Sequence, residues 1–199
     1  MERNELFTGI IFRRNVIIWK KGTVEFYKKV GTIQMKVTEI TNYMKFLIET
    51  GDANTILRKI SKDVLIHELP EYKKIAQEMV RYVKDPKNGW VWLAAPQIGI
   101  NKRIIALSLM QTYDDENYKT IAMINPEIFQ HSQEKGRDEE GCLSVPWEHW
   151  DVERWIWVKV RYQDEKGKEQ SLLLKNLAAR ILQHEIDHLD GILFTDKVL

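Results

Sequence analysis

Asn176-Leu177-Ala178-Ala179-Arg180-Ile181-Leu182-Gln183-His184-Glu185-Ile186-Asp187-His188-Leu189-Asp190-Gly191 is the stretch on which the fold turns. Asn176 suits an N-cap and Gly191 a left-handed C′ residue, which bounds a single helix. Leu177, Ile181, His184 and His188 then share one face, because side chains four apart stack along a helix. His184 and His188 can reach one metal ion, and Glu185 lies close enough to act as a general base on a water activated there.

The H-E-x-x-H spacing is best known from zinc peptidases, which take a third ligand downstream in H-E-x-x-H-x-x-G-x-x-H. This chain follows that form as far as Gly191, but the next ligand position is Phe194, and residues 189–199 contain no His, Glu or Cys. A third ligand must lie upstream. Cys142 is the one cysteine of the chain, so it forms no intrachain disulfide. On its own it reads as a small buried hydrophobe. Its flanks, Asp138-Glu139-Glu140-Gly141-Cys142-Leu143-Ser144-Val145-Pro146, shift that reading. Three acids run into a glycine that permits close backbone approach to a ligand. A Cys-His-His set leaves the fourth tetrahedral position open, which is the arrangement of a catalytic ion.

Three motifs in order now carry a family resemblance: Leu93-Ala94-Ala95-Pro96-Gln97, Glu140-Gly141-Cys142-Leu143-Ser144, and Gln183 through Gly191 around the two histidines. The chain resembles peptide deformylases from about Ile48 to Val198, with weaker likeness at Gly51-Asp52, Leu57-Arg58 and Ile124-Asn125-Pro126. The resemblance implies removal of the formyl group from the N-terminal formylmethionine of new polypeptides, with formate as product. It implies Cys142, His184 and His188 as ligands of one divalent metal ion, iron(II) first, with zinc, nickel or cobalt able to substitute. Thiolate and imidazole suit several of these ions, so spacing does not choose among them.

The resemblance makes Glu185 the general base, and makes the Gln97 amide and the Leu143 backbone N–H the donors to the developing oxyanion. It assigns peptide contact to Val91, Trp92, Leu93 and Gly141, with the peptide added as a strand. An apolar pocket walled by Val91, Leu177 and Ile181 would take the methionine side chain. For the last two, ordinary core packing is an equal reading. A Glu140–Arg154 ion pair is expected. Asp187 and Asp190 are candidates for orienting imidazoles, with a plain structural role the stronger reading for both.

The family's first motif reads G-x-G-L-A-A-x-Q, and here both glycines are tryptophans, Trp90 and Trp92. A ring in place of a glycine adds bulk beside the peptide path, so altered specificity is the expectation. His149 stands where an arginine is common, which exchanges a fixed charge for a titrating one; a surface role without function is the plainer reading. The chain ends at Leu199, so docking at the ribosome through a further C-terminal helix is not expected. The basic N-terminal segment is the candidate substitute, by contact with ribosomal RNA.

Composition bounds the rest. A chain of 199 residues, 44% hydrophobic, suits one core, and a formal net charge of +1 gives no sign of nucleic-acid binding. DNA is therefore not an expected partner. No apolar run is long enough to span a membrane and no secretory segment is visible, so the expectation is a cytoplasmic protein, with organelle import left open. Residues 1–46 hold nine Lys/Arg and four Asp/Glu, whereas the remainder is acidic. This segment is read as a basic extension to a catalytic domain at 47–199. Three accounts of it stay open: an arm of little order, short strands at 7–19 and 23–30, or a start assigned upstream of Met35 or Met44.

Elsewhere, Tyr72, Ile75, Ala76, Met79, Val80 and Val83 recur at helical spacing behind Pro70. Strands are expected at 103–109, 120–124 and 155–162, the last turning at 164–167 into 169–174. The fold class is α+β, with antiparallel strands around the C-terminal helix. Two functions compete: an active deformylase, and a metal-binding relative that only binds peptides at a tryptophan-lined cleft. Glu185 and Gln97 favour the first, since a binder needs no general base.

Overall fold

The computed structural model describes residues 46–89, 91–116 and 118–198, together with the backbone of four strands in the N-terminal segment. Those strands, β1 (Gly9–Phe12), β2 (Asn15–Lys20), β3 (Thr23–Lys28) and β4 (Thr32–Met35), form an antiparallel meander in sequence order. They belong to a compact unit, Met1–Leu47, separate from a second unit, Ile48–Leu199.

The second unit is α+β, as its pattern predicts. Helix α1 (Leu69–Lys84) has Pro70 in its first turn and buries Ala76, Met79 and Val83 against strands that follow it. Those are β5 (Trp92–Ala94), β6 (Ile104–Ser108) and β7 (Thr120–His131), joined by β10 (Trp157–Gln163) and β11 (Glu169–Lys175) in one antiparallel sheet ordered β11-β10-β7-β6-β5. The β10–β11 hairpin closes around Gly167, whose φ of 75° needs a residue without Cβ. Between β7 and β10 lies a feature the sequence did not announce. Strands β8 (Lys135–Cys142) and β9 (Val145–Trp155) make a separate two-stranded ribbon. Trp155 accordingly ends β9 instead of opening β10.

Helix α2 (Asn176–Leu189) lies between sheet and ribbon, and every residue of it except Asn176 and Ile186 is buried. On the sheet side it meets Ile105, Leu107, Val158 and Leu174 through Ala178, Ile181 and Leu182. On the ribbon side, Cys142, Val145 and Val152 pack with Leu57, Leu193 and Phe194. Asn176 is not the N-cap but the first residue of α2, in the left-handed region at φ 51°, which asparagine tolerates better than other side chains; Lys175 holds the cap position.

The other end follows the expected chemistry. Gly191 sits at C′ with φ 73°, its N–H donates to the His188 carbonyl at 3.3 Å, and the Ile192 N–H donates to the Asp187 carbonyl at 2.9 Å. That pair of bonds is a Schellman motif. A Cβ at Gly191 would also stand 2.7 Å from the Arg58 carbonyl oxygen. Gly191→Ala is therefore expected to lose about 1–3 kcal/mol in urea unfolding. A loss below about 0.5 kcal/mol, the size of an ordinary surface change, would contradict this account of the helix end.

Candidate active site

The sequence converges three polar side chains by two independent routes. The four-residue period of α2 stacks His184 and His188, whose rings lie 5.0 Å apart and 75° from coplanar. A register shift between Gly141 and Cys142 breaks the regular ladder at the end of β8, where Cys142 pairs with Val145 across the turn. The Cys142 Sγ comes within 3.2 Å of His188 Nε2, and Sγ and the two imidazoles offer ligand atoms all within 4.8 Å of one another. Cys142 and both histidines are buried.

The donor set fits an ion. His184 Nδ1 pairs with Glu140 Oε2 at 3.0 Å, which leaves Nε2 as its ligating atom, and that Nε2 is buried with no protein partner. Both oxygens of Glu185 and Nδ1 of His188 are likewise buried and unpartnered. Orphaned polar atoms are rare in protein interiors. Four in one place, beside a thiol, describe a site built for something the side chains do not themselves supply.

Electrostatics agree. Burial pushes the Cys142 thiol up, yet His188 and His184 overcome it and hold the thiol well below its ordinary range, in the thiolate form that ligates metals. Burial lowers the His184 imidazolium, but Cys142 and Glu140 carry it up to about 10, so an ion taken up here displaces a proton. Burial raises Glu185 to about 7, with Cys142 and Glu140 adding to the effect and His188 and His184 opposing it.

The expected Glu140–Arg154 pair is present and buried: Arg154 Nε donates to Oε1 at 2.9 Å and Nη2 to Oε2 at 2.8 Å. Burial pushes Glu140 up, and Arg154 and His184 hold it far below the usual carboxylate range. The guanidinium also binds Asp187, which in turn accepts from Lys197 Nζ at 2.6 Å. Asp187 thus meets Arg154 instead of an imidazole, and Asp190 pairs with Arg103 Nη1 at 2.6 Å. The carboxylate that orients His184 is Glu140, which sequence reasoning had paired only with Arg154. The signal was its nearness to Cys142.

Gln97 is 2% exposed in the turn after β5. The Ala94 N–H donates to its Oε1 at 2.8 Å, which leaves Nε2 for Ser144 Oγ at 3.2 Å and Cys142 Sγ at 3.6 Å. Leu143 is half-buried and, with Ser144, makes the two-residue turn between β8 and β9.

A small pocket adjoins His184, walled by Trp92, Leu177, Ile181 and Tyr113, with Gly141 and Arg180 beside them. Val91 does not line it, contrary to expectation. Val91 packs on the main core, and Leu93, which was expected to meet the peptide, is fully buried. Among the described residues, strand β5 stands last in the order of its sheet. The Ser108 N–H bonds the Val91 carbonyl at 2.9 Å, and Trp92 pairs in register with Leu107 of β6. His149 is exposed, and its ring covers Gly141 so closely that a Cβ there would stand 2.7 Å from Cε1. Trp90 lies outside the described residues.

An antiparallel sheet and ribbon enclose a helix, and a buried cysteine, two histidines four apart and an unpartnered glutamate there form a set that could hold one metal ion. The model of the polypeptide deformylase family matches residues 44–199, and the chain belongs to that family. Peptide deformylase of Synechocystis is 44% identical over 126 residues, 63% of this chain and 65% of that one, slightly under two thirds of its length. The Brachyspira hyodysenteriae relative is 39% identical over 162 residues, 78% and 81% of the two chains. The Thermotoga maritima peptide deformylase structure superimposes with a TM-score of 0.67 at 34% identity, covering 77% of this chain and 97% of that one. An Acinetobacter baumannii peptide deformylase structure bound to Met-Ala-Ser gives 0.69 at 34%, covering 77% and 98%.

Proposed function

We propose that this chain hydrolyses the formyl amide of N-formylmethionyl peptides, breaking the C–N bond to give formate and a free N-terminal amine. The observation that carries the proposal is Glu185: a fully buried carboxylate with no partner for either oxygen, one residue from a histidine of the Cys142–His184–His188 set. That arrangement has a use in general acid–base chemistry and none in packing, so the reading as a non-catalytic peptide binder is not favoured.

A divalent ion held by Cys142, His184 and His188, iron(II) in our reading, with zinc, nickel or cobalt able to take its place, would supply Lewis acidity toward the formyl oxygen and the attacking water. Glu185 receives the proton of the attacking water and passes it to the departing amine. Both transfers are served by a carboxyl pushed by burial to about 7. The Nε2 of Gln97, held by the Ala94 N–H on its Oε1, and the Leu143 N–H donate to the oxygen as its charge grows. The peptide adds as a strand alongside β5, and Trp92, Leu177 and Ile181 receive the methionine side chain. The described residues contain no helix long and apolar enough to cross a membrane. Action on nascent chains suits the cytoplasm or an organelle that makes formylated proteins, and the basic residues 1–46 suit contact with ribosomal RNA.

Gln97→Leu is expected to lower kcat by about 10²- to 10³-fold with little change in KM, the usual cost of one oxyanion donor. A kcat within about three-fold of wild type, well short of that range, would remove Gln97 from the mechanism. The function itself is tested by formate release from formyl-Met-Ala-Ser: turnover should vanish on chelation and return with nickel. Failure of nickel-reloaded protein to release formate would refute it.

A further inference from the structure

Arg180 lies one turn before His184 on α2, is 8% exposed, and is not needed by any step of the proposed reaction. Its Nη1 donates to Glu140 Oε1 at 2.7 Å, to the Val152 carbonyl at 2.9 Å and, more weakly, to the Asp138 carbonyl at 3.4 Å; its Nη2 donates to the Gly136 carbonyl at 2.8 Å. One helix side chain therefore grips both strands of the β8–β9 ribbon. That ribbon is a separate two-stranded sheet, and two strands alone are marginally stable. It also delivers Cys142, whereas α2 delivers both histidines.

We propose that Arg180 is a positioning residue: by clamping Glu140 and the ribbon carbonyls to α2, it sets the separation of Cys142 Sγ from His184 and His188. The guanidinium fork spans three carbonyls and a carboxylate oxygen at once, which a single ammonium cannot do. Glu140 passes the constraint on, since its Oε1 accepts from Arg180 and its Oε2 from His184. The inference rests on the Cys-His-His set as the ligands and is independent of the substrate.

Cobalt(II) is the probe, because its visible absorption reports ligand geometry and its affinity can be measured against a chromogenic chelator without turnover. Arg180→Met should weaken cobalt binding by about 10- to 100-fold, the usual effect of removing a group that orients a metal ligand, and should shift the visible bands. Arg180→Lys, which keeps the charge, should recover only part of each. Met79→Ala, in α1, provides a comparison with lowered thermal stability and unchanged bands. Unchanged bands and affinity in Arg180→Met would overturn the proposal, as would full recovery with lysine, which would reduce the role to charge. If the methionine variant does not fold, Arg180→Lys decides alone: weakened binding with shifted bands supports the clamp, and wild-type behaviour refutes it. Wild-type protein that takes up no cobalt would instead refute the ligand assignment, whatever its activity on formyl peptides.

Discussion

Glu185→Gln should lower kcat by roughly 10²- to 10⁴-fold while leaving metal content at one ion per chain. The exchange preserves shape and removes the group that accepts and returns a proton. Folding should not suffer, because the native carboxylate is buried with neither oxygen partnered and such a group costs stability instead of supplying it. A variant at least as stable as the wild type and nearly inactive would show a residue kept for chemistry. Equal loss of metal and activity would instead make Glu185 part of the ion's support. Activity within about ten-fold of wild type, less than general base catalysis normally supplies, would sink the assignment.

The largest stability effect is expected at Arg154. It joins Glu140 and Asp187, and all three are buried. Arg154→Met leaves Asp187 with Lys197 alone and strips a two-point contact from Glu140. Breaking a buried pair by removing one partner costs about 3–5 kcal/mol. Its pH dependence has a definite sign. Glu140 is depressed below its ordinary 4.5 in the folded state, so its stabilisation is fully present above that value and is lost as pH falls below it. The variant should show its full deficit near neutrality and a shallower fall in stability below pH 4.5, since less of the depression remains. Urea unfolding across that range checks both. A deficit under about 1 kcal/mol at neutral pH, typical of an exposed pair, would contradict the network.

The helix that carries the histidines was legible because its signals are local: an asparagine at one end, a glycine at the other, and a four-residue period between. Even so, Asn176 adopts a left-handed backbone inside the helix instead of capping it. The β8–β9 ribbon was not legible, and its composition shows why. Lys135-Gly136-Arg137-Asp138-Glu139-Glu140-Gly141-Cys142 has no apolar alternation. Its ladder is supported by cross-strand charges such as Arg137 with Asp151, 2.9 Å apart, and by arginines that reach inward. Along β9 the inward positions include Val152 and Arg154, so a charge falls where a period-two pattern calls for an apolar side chain. Val91 was misplaced for the opposite reason. Motif likeness marks a segment, whereas the alternation of side chains decides which residues reach the pocket and which enter the core. Arg180 was overlooked because its four partners come from strands 28 to 44 residues away, which no local spacing displays.

The central claim is that the buried glutamate and the Cys-His-His set cut a formyl amide and spare peptide bonds. The most direct measurement is the product of formyl-Met-Ala-Ser after incubation with protein loaded with iron(II) or nickel under exclusion of oxygen. Mass analysis would be read beside the formate produced. We expect intact Met-Ala-Ser and formate in equal amounts. Cleavage within the peptide, or no conversion by protein that holds one ion per chain, would contradict the account.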